Sequence, residues 1–418
     1  MKFFSESRPL SYLEHSFAGK TALILSVGPS LSDDINKIRE NRDKYILIAV
    51  APVLKYLISS GITPDFATFA DSDFMQKHIE GIEDKLTDIN LVIASRADKT
   101  IAEHQFKNKI IYLSDTDGVA RWLSELSTDN LNLYRSGGTI TILSYYLAKA
   151  LGCSTIAFSG LDLAFINNKA NVYGEEVVEN TLNGTVYVGS FLYKTPVNVL
   201  GYKGQTLMSR DDYALFIRQF NEIFTEEEKT ARIINTSLEG ALINGMEYMN
   251  FENFVLSLNN DKTDVSAIVA GYFNDTKLKW DAQLAKISRD LEKQFNTCQS
   301  IRNNSEIIYN ELLQINSLLE NATETIGEVD SKLEAVKNKM IDTRNTVINN
   351  IFLSTYLQSE IWQYAQKYNT SILPSIDDVR ANMQLEQEFF KSVLDASDAL
   401  NTSMQELLQQ IGVKSTVN

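Results

Sequence analysis

Apolar residues fall along the first 255 positions in short continuous runs, each followed by a stretch of helical period. Thr21 to Val27, Tyr45 to Val50, Phe66 to Ala70, Leu91 to Ala94, Ile110 to Leu113, Ser154 to Phe158 and Arg232 to Asn235 read as strands. Runs apolar on both faces are what a sheet covered on both sides requires. Between them Val53, Leu54, Leu57 and Ile58, stopped by Gly61, give a helical face. Ile140, Leu143, Leu147 and Leu151, stopped by Gly152, give another, and Tyr213 to Phe224 a third. Ile101 and Phe106 mark a short helical pattern, and a last helix begins at Met246. Strands alternating with helices at this spacing predict a doubly wound, mostly parallel, Rossmann-like α/β domain over 19–258.

Two interruptions stand out. Residues 1–18 have no clear period and read as an N-terminal arm, and 165–206 is rich in Asn, Gly and Tyr. There Val186 to Val188 and Val197 to Val199 suggest hairpin strands of a β-flap or lid over the carboxyl end of the sheet. The composition shifts near Asn259-Asn260-Asp261-Lys262. In the helical domain expected over 262–418, glycine is nearly absent from about Asp275 onward, and Ile326, Val329, Leu333, Val336 and Met340 alternate three and four apart. This predicts an α-helical bundle or coiled-coil domain, interrupted at Pro374 and closed by a helix over Val379 to Ile411. Such a domain suits homo-oligomer formation or the holding of a protein partner.

Charge narrows the partners. The 418 residues carry a formal net charge of -15, with 44% hydrophobic and 22% charged residues. That balance argues against nucleic acid or an anionic membrane as a partner. No apolar run approaches the roughly 20 residues of a membrane span, and no signal-peptide pattern opens the chain, so a cytoplasmic location is expected. Cys153 and Cys298 have no metal-ligand spacing and are expected as buried thiols. The 3 histidines leave little for histidine-based chemistry.

Three places carry candidate chemistry. Gly28-Pro29-Ser30 joins a strand to a helix, with Ser30 and Asp33 spaced as a capping box, and helix starts of this kind take phosphate. An ordinary tight turn is an equal reading. Arg135-Ser136-Gly137-Gly138-Thr139 opens a second helix, whose following strand ends on Gly160-Leu161-Asp162. That arrangement links an anion cradle to a carboxylate at a strand's carboxyl end. Asp71-Ser72-Asp73 ends another strand. Its two carboxylates are the ligands that a divalent cation, Mg2+ or Mn2+, would use, while ribose binding or helix capping explains them equally well. No cofactor is required by the pattern. Tyr173 in the flap offers a hydroxyl to a donor phosphate or simply pads the flap.

Taken in order, Ser26-Val27-Gly28-Pro29-Ser30-Leu31, Pro64-Asp65, Ser136-Gly137-Gly138-Thr139, Leu151-Gly152-Cys153, Gly160-Leu161-Asp162-Leu163-Ala164 and Ile234-Asn235-Thr236-Ser237-Leu238-Glu239-Gly240-Ala241-Leu242-Ile243-Asn244-Gly245 resemble the bacterial motility accessory factors over roughly residues 20 to 255. The stretch Arg135 to Asp162 is also similar to a block of bacterial sialyltransferases that use CMP-sialic acid. The resemblance implies a flagellin glycosyltransferase. It would move a nonulosonic acid of the pseudaminic or legionaminic type from its CMP-activated form onto Ser or Thr of flagellin, as flagellum assembly and motility require.

For such chemistry Arg135 would pair with the phosphate or the sugar carboxylate, and Asp162, Asp71, Asp73 or Glu239 would supply the base; Asp162 ranks first because it ends the strand fed by the anion-binding helix, while a purely structural aspartate is an equal reading. Gly28, Pro29, Ser30, Asp71, Asp73, Ser136, Gly137, Gly138, Thr139 and Tyr173 would bind the donor. Two departures bear on this. The loop Asn167 to Tyr173 lacks the histidine common in relatives, and Asp-Ser-Asp stands where Asp-Pro is usual. Two other functions compete: a pterin diphosphokinase using ATP and Mg2+ at Asp71 and Asp73, and a noncatalytic flagellin-binding scaffold.

Overall fold

A computed structural model describes residues 6–72, 74–127, 131–180, 185–188, 191–193, 196–226, 230–258, 263–320, 326–367 and 376–410. Of these, 6–116 and 131–280 form one compact unit, and 117–127 and 281–410 form the other. The sheet unit therefore runs past the composition shift at 259–262, because Val265, Val269 and Trp280 bury their side chains in it. The helical unit takes in a short piece from the middle of the first half of the chain.

In chain order the strands are β1 Ser7–Pro9, β2 Thr21–Leu25, β3 Ile46–Val50, β4 Phe66–Phe69, β5 Asn90–Ala94, β6 Asn108–Tyr112 and β7 Thr155–Ser159. They continue with β8 Val177–Asn180, β9 Thr185–Val188, β10 Phe191–Tyr193, β11 Pro196–Leu200, β12 Thr206–Arg210, β13 Arg232–Asn235 and β14 Glu247–Tyr248. Nine of them form one parallel sheet in the order β1-β6-β5-β4-β3-β2-β7-β13-β14. The arm expected at the N-terminus supplies an edge strand and a single 3-10 turn, Leu10–Leu13. Pro9 fits there because an edge tolerates a missing N–H donor.

Alternation along each strand divides the core into two layers. Ala22, Ile24, Ile46, Ile48, Phe66 and Phe158 face one side, under the helix Ile140–Ala150. Leu23, Leu25, Leu47, Ala49, Ala67 and Phe69 face the other, with Leu31, Ile38, Leu54, Leu57, Phe251 and Phe254. The central helix is buried from Thr141 to Ala148, and both the turn Leu10–Leu13 and the helix Asp211–Glu226 pack against it. There Phe224 meets Tyr145 edge-on at 5.3 Å. Its two inward hydroxyls are satisfied by the sheet, Ser144 Oγ at 2.9 Å from Thr68 Oγ1 and Thr141 Oγ1 at 3.1 Å from Ser26 Oγ. Buried hydroxyls without partners would destabilise this packing by about 1–3 kcal/mol each.

The helical pattern near Ile101 is one 3-10 turn, Ile101–Glu103, and the segment from Met246 is a short strand before the helix Phe251–Leu256. The flap consists of the antiparallel set β10-β9-β8 and the hairpin β11–β12. Hydrogen bonds from Phe165 N to Met208 O and from Ser209 Oγ to Leu163 O, at 2.9 and 2.8 Å, hold β12 against the loop after β7.

In the helical unit the long helices are Lys277–Glu320, Ile326–Asn349 and Ile376–Gln410. Val336, Met340 and Val347 are buried in it, and Glu386 Oε1 accepts from Arg344 Nη1 at 2.5 Å and from the Tyr364 hydroxyl at 2.6 Å. The short helix Gly118–Leu126 belongs to this unit, with Trp122 Nε1 donating to Asp290 Oδ2 at 2.7 Å and its ring 5.1 Å from that of Phe352. Among the described residues no helix is long and apolar enough to cross a membrane. Cys153 and Cys298 are both free and buried. Pro374 and Asn259 to Lys262 lie outside the described residues, as do Asn183, Gly184 and Gly189 of the flap.

Candidate active site

The chain leaves β2, builds β3 to β6 outward on one side, and returns to β7 on the other. The crevice at the carboxyl ends of β2 and β7 is therefore the topological switch point, where open α/β sheets hold ligands. Three loops meet there, after β2, β7 and β13, and they are bonded to one another. Gly28 N donates to Gly160 O at 2.9 Å, and Ser30 N donates to Asp162 Oδ2 at 2.8 Å. Ala241 N donates to Asp162 O at 2.8 Å, and the hydroxyls of Ser30 and Ser237 lie 2.9 Å apart.

Glycine is forced at two points in this knot. A Cβ on Gly28 would lie 2.4 Å from Asp162 Oδ2, and Gly160 combines a φ of +72° with a Cβ position 2.5 Å from Ser26 O. These bonds engage the amides expected to cradle a phosphate at Gly28-Pro29-Ser30. Pro29 has no N–H, and the amides of Gly28 and Ser30 are spent on the neighbouring loop. The Ser30 side chain makes no capping bond to its helix either, because it turns to Ser237.

Asp162 is 1% exposed, and its Oδ1 has no hydrogen bond. Burial pushes its pKa up against the Ser30 and Ser237 groups that hold it down. The carboxylate thus lies beneath the crevice as a clasp between loops. A second buried carboxylate, unremarked in the sequence, lies close by. Asp34 Oδ2 accepts from Ser159 Oγ and Thr236 Oγ1, both at 3.0 Å, and burial raises its pKa to about 6. Its one legible signal was its place four residues past the glycine-proline-serine turn. Ser237 was visible only as part of a longer motif.

The second turn faces outward. Gly137 and Gly138 are exposed, Thr139 is the N-cap of the central helix, and the Thr141–Ser26 contact puts that helix start against the chain leaving β2. Ser136 Oγ reaches Ser114 Oγ at 2.7 Å and Thr116 Oγ1 at 3.0 Å, beyond β6. Gly138 N donates to Gln219 Oε1 at 3.0 Å. The turn therefore runs along the carboxyl edge from the end of β6 to the helix Asp211–Glu226. Arg135 is exposed, its carbonyl held by the Tyr112 hydroxyl at 2.5 Å and its guanidinium 5.9 Å from the Tyr146 ring centre.

The remaining candidates lie around this edge. Tyr173 donates its hydroxyl to Pro52 O at 2.8 Å, and Val172 N donates to Val27 O at 2.8 Å, so the flap's first loop crosses the ends of β2 and β3. Glu239, 55% exposed at its side chain, pairs with Lys203 of the β11–β12 turn, where Tyr202 stacks on Tyr248 at 4.0 Å. Asp71 is exposed at the end of β4, two strands from β2, and Asp73 lies outside the described residues. For a divalent cation, Asp71 is the one described carboxylate of that motif. The nearby Asp98 carboxylate already accepts from Thr100 and Met75. Among the described residues no group of three or more His, Cys, Asp or Glu is arranged to hold a metal.

Residues 1–168 match the family model described as 6-hydroxymethylpterin diphosphokinase MptE-like. No curated protein sequence is significantly similar to the chain. Among solved structures, the Maf glycosyltransferase from Magnetospirillum magneticum AMB-1 is similar over 99% of this chain and 61% of its own length, with a TM-score of 0.55 and 14% identity. The chain thus spans about three fifths of that protein, and it shares with it an α/β sheet domain joined to a helical region.

Proposed function

We propose that this chain is a glycosyltransferase that moves a nonulosonic acid from a CMP-activated donor to Ser or Thr of flagellin in the cytoplasm. The observation that carries the reading is the outward-facing turn Arg135 to Thr139, at a helix N-terminus on the same carboxyl edge as the switch point. The fold shared with a Maf glycosyltransferase supports it.

Breaking the bond between the anomeric carbon and the phosphate oxygen leaves CMP with its charge on one phosphate and the sugar as an oxocarbenium-like centre. In this reading the dipole of the helix that starts at Thr139 and the Arg135 guanidinium stabilise the phosphate, the latter in the two-pronged geometry that arginine favours. The acceptor hydroxyl attacks the anomeric carbon and gives up its proton to a carboxylate. Glu239 is an exposed carboxylate among the candidate bases, while Asp162 holds the floor on which the loops stand. Tyr173, tied to the chain after β3, fits a wall of the donor site.

Calorimetry with CMP and ATP, and intact mass measurement of flagellin incubated with the protein and a CMP-nonulosonate, test the reading. CMP binding and a flagellin mass gain of whole sugar units are expected. Binding of ATP with no affinity for CMP would overturn it. That outcome favours the second reading, an ATP-dependent pterin diphosphokinase, for which the match over residues 1–168 speaks. Such an enzyme would rely on Mg2+ at Asp71 and Asp73.

A further inference from the structure

Phe74 follows β4 on the loop that also bears Asp71, and two properties set it apart. Its φ is +58°, a left-handed backbone that a bulky L side chain rarely adopts, and its side chain is 82% exposed. Each property is unfavourable for folding, so their coincidence in one residue points to a use outside the fold. The loop is pinned on both sides of Phe74 by one residue. Asp98 N donates to Asp71 O at 2.9 Å, and Asp98 Oδ2 accepts from Met75 N at 3.4 Å. The backbone on either side of Phe74 is thus held by Asp98.

The loop lies at the carboxyl edge of the sheet. The turn Met75–His78 packs against Ala51–Val53, whose Pro52 carbonyl holds Tyr173, so the loop of Phe74 and Tyr173 share the chain that follows β3 as a neighbour. From the end of β4 to the switch point beside β2 is two strand spacings, about 10 Å. This is the scale on which a mononucleotide separates its base from its phosphate.

We infer that Phe74 is the stacking platform for the base of the nucleotide donor, with the Asp71 carboxylate of the same loop to accept from an exocyclic amine such as that of cytosine. A flat hydrocarbon face and a hydrogen-bond acceptor on one loop suit a planar ring with amine hydrogens on its edge. The inference rests on the nucleotide-donor reading above, and it adds a residue that the sequence motifs did not include.

Isothermal titration of the full chain with CMP, AMP, ATP and ribose 5-phosphate tests it, using wild type, Phe74→Ala, Phe74→Gly and Phe74→Trp. Phe74→Ala and Phe74→Gly should each weaken CMP binding at least tenfold while leaving ribose 5-phosphate unchanged. Phe74→Trp should keep CMP affinity. Phe74→Gly, which accepts a positive φ without strain, should melt no lower than wild type. CMP affinity within twofold of wild type in the alanine and glycine variants overturns the inference, as does an equal loss for ribose 5-phosphate. A wild type that binds adenine nucleotides in place of CMP, with the same dependence on Phe74, overturns the CMP reading and upholds the stacking role. A wild type that binds none of these nucleotides overturns both.

Discussion

Ser30 donates its amide to Oδ2 of Asp162 at 2.8 Å, so a side chain from the loop after β7 closes the turn after β2. The two strands are neighbours in the sheet but are separated in the chain by 132 positions at this contact. Closing the turn from outside lets it stay tight without further glycines, and it leaves the crevice above with a rigid floor.

Gly28→Ala tests that closure. The added methyl would sit 2.4 Å from Asp162 Oδ2 and 2.5 Å from Gly160 O, contacts that only a shift of both loops can relieve. Overpacking of this kind costs about 1–3 kcal/mol. A urea titration should show the midpoint lowered with an unchanged slope, and an unchanged midpoint would mean that the loops give way freely.

Asp34 should make the protein less stable as pH rises. Its carboxyl titrates near 6 in the folded protein, because burial disfavours the charged form, and near 4 when unfolded. Between those values the folded state holds more protons, so stability is full below about pH 4 and declines through pH 6, by on the order of 2–3 kcal/mol. Asp34→Asn keeps an oxygen for the Ser159 and Thr236 hydroxyls while removing the charge. Its unfolding free energy, measured from pH 4 to 8, should lack this component of the decline and exceed that of wild type at pH 8.

In the helical unit, Glu386 is 2% exposed and bonded to both Arg344 and Tyr364. Glu386→Ala would leave the Arg344 charge without this partner, at a cost of about 3 kcal/mol, toward the low end for broken buried pairs because Arg344 retains some access to water. Glu386→Gln, which still accepts from Tyr364, should lose less. Thermal unfolding of the full chain followed by circular dichroism checks the order of the three proteins.

Much of the sheet could be read from the chain because a strand covered on both faces leaves a run such as Ile46 to Val50 with no polar residue to blur it. β1 escaped notice since Ser7, Arg8 and Pro9 have no apolar pattern, and pairing with β6 alone makes them a strand. The helix Gly118–Leu126 was likewise hidden. Its Trp122 meets Asp290, 168 positions away, and nothing local announces such a partner. At the site, spacing located Asp162 at the end of β7 but carried no information on where its oxygens turn. The amides of Gly28 and Ser30 were legible as helix-start donors, and only tertiary contact decides whether such donors meet a ligand or the protein itself.

The placement of Gly118–Leu126 in the helical unit means that the polypeptide visits that unit twice, once between β6 and the central helix and again after Trp280. Cutting the chain at the composition shift near 262 would not yield a free-standing sheet domain. It would strand Ala120, Trp122 and Leu123 without the Asp290 and Phe352 groups that cover this helix. A double tether of this sort ties the folding of one unit to that of the other, and any dissection by truncation has to remove both passages together.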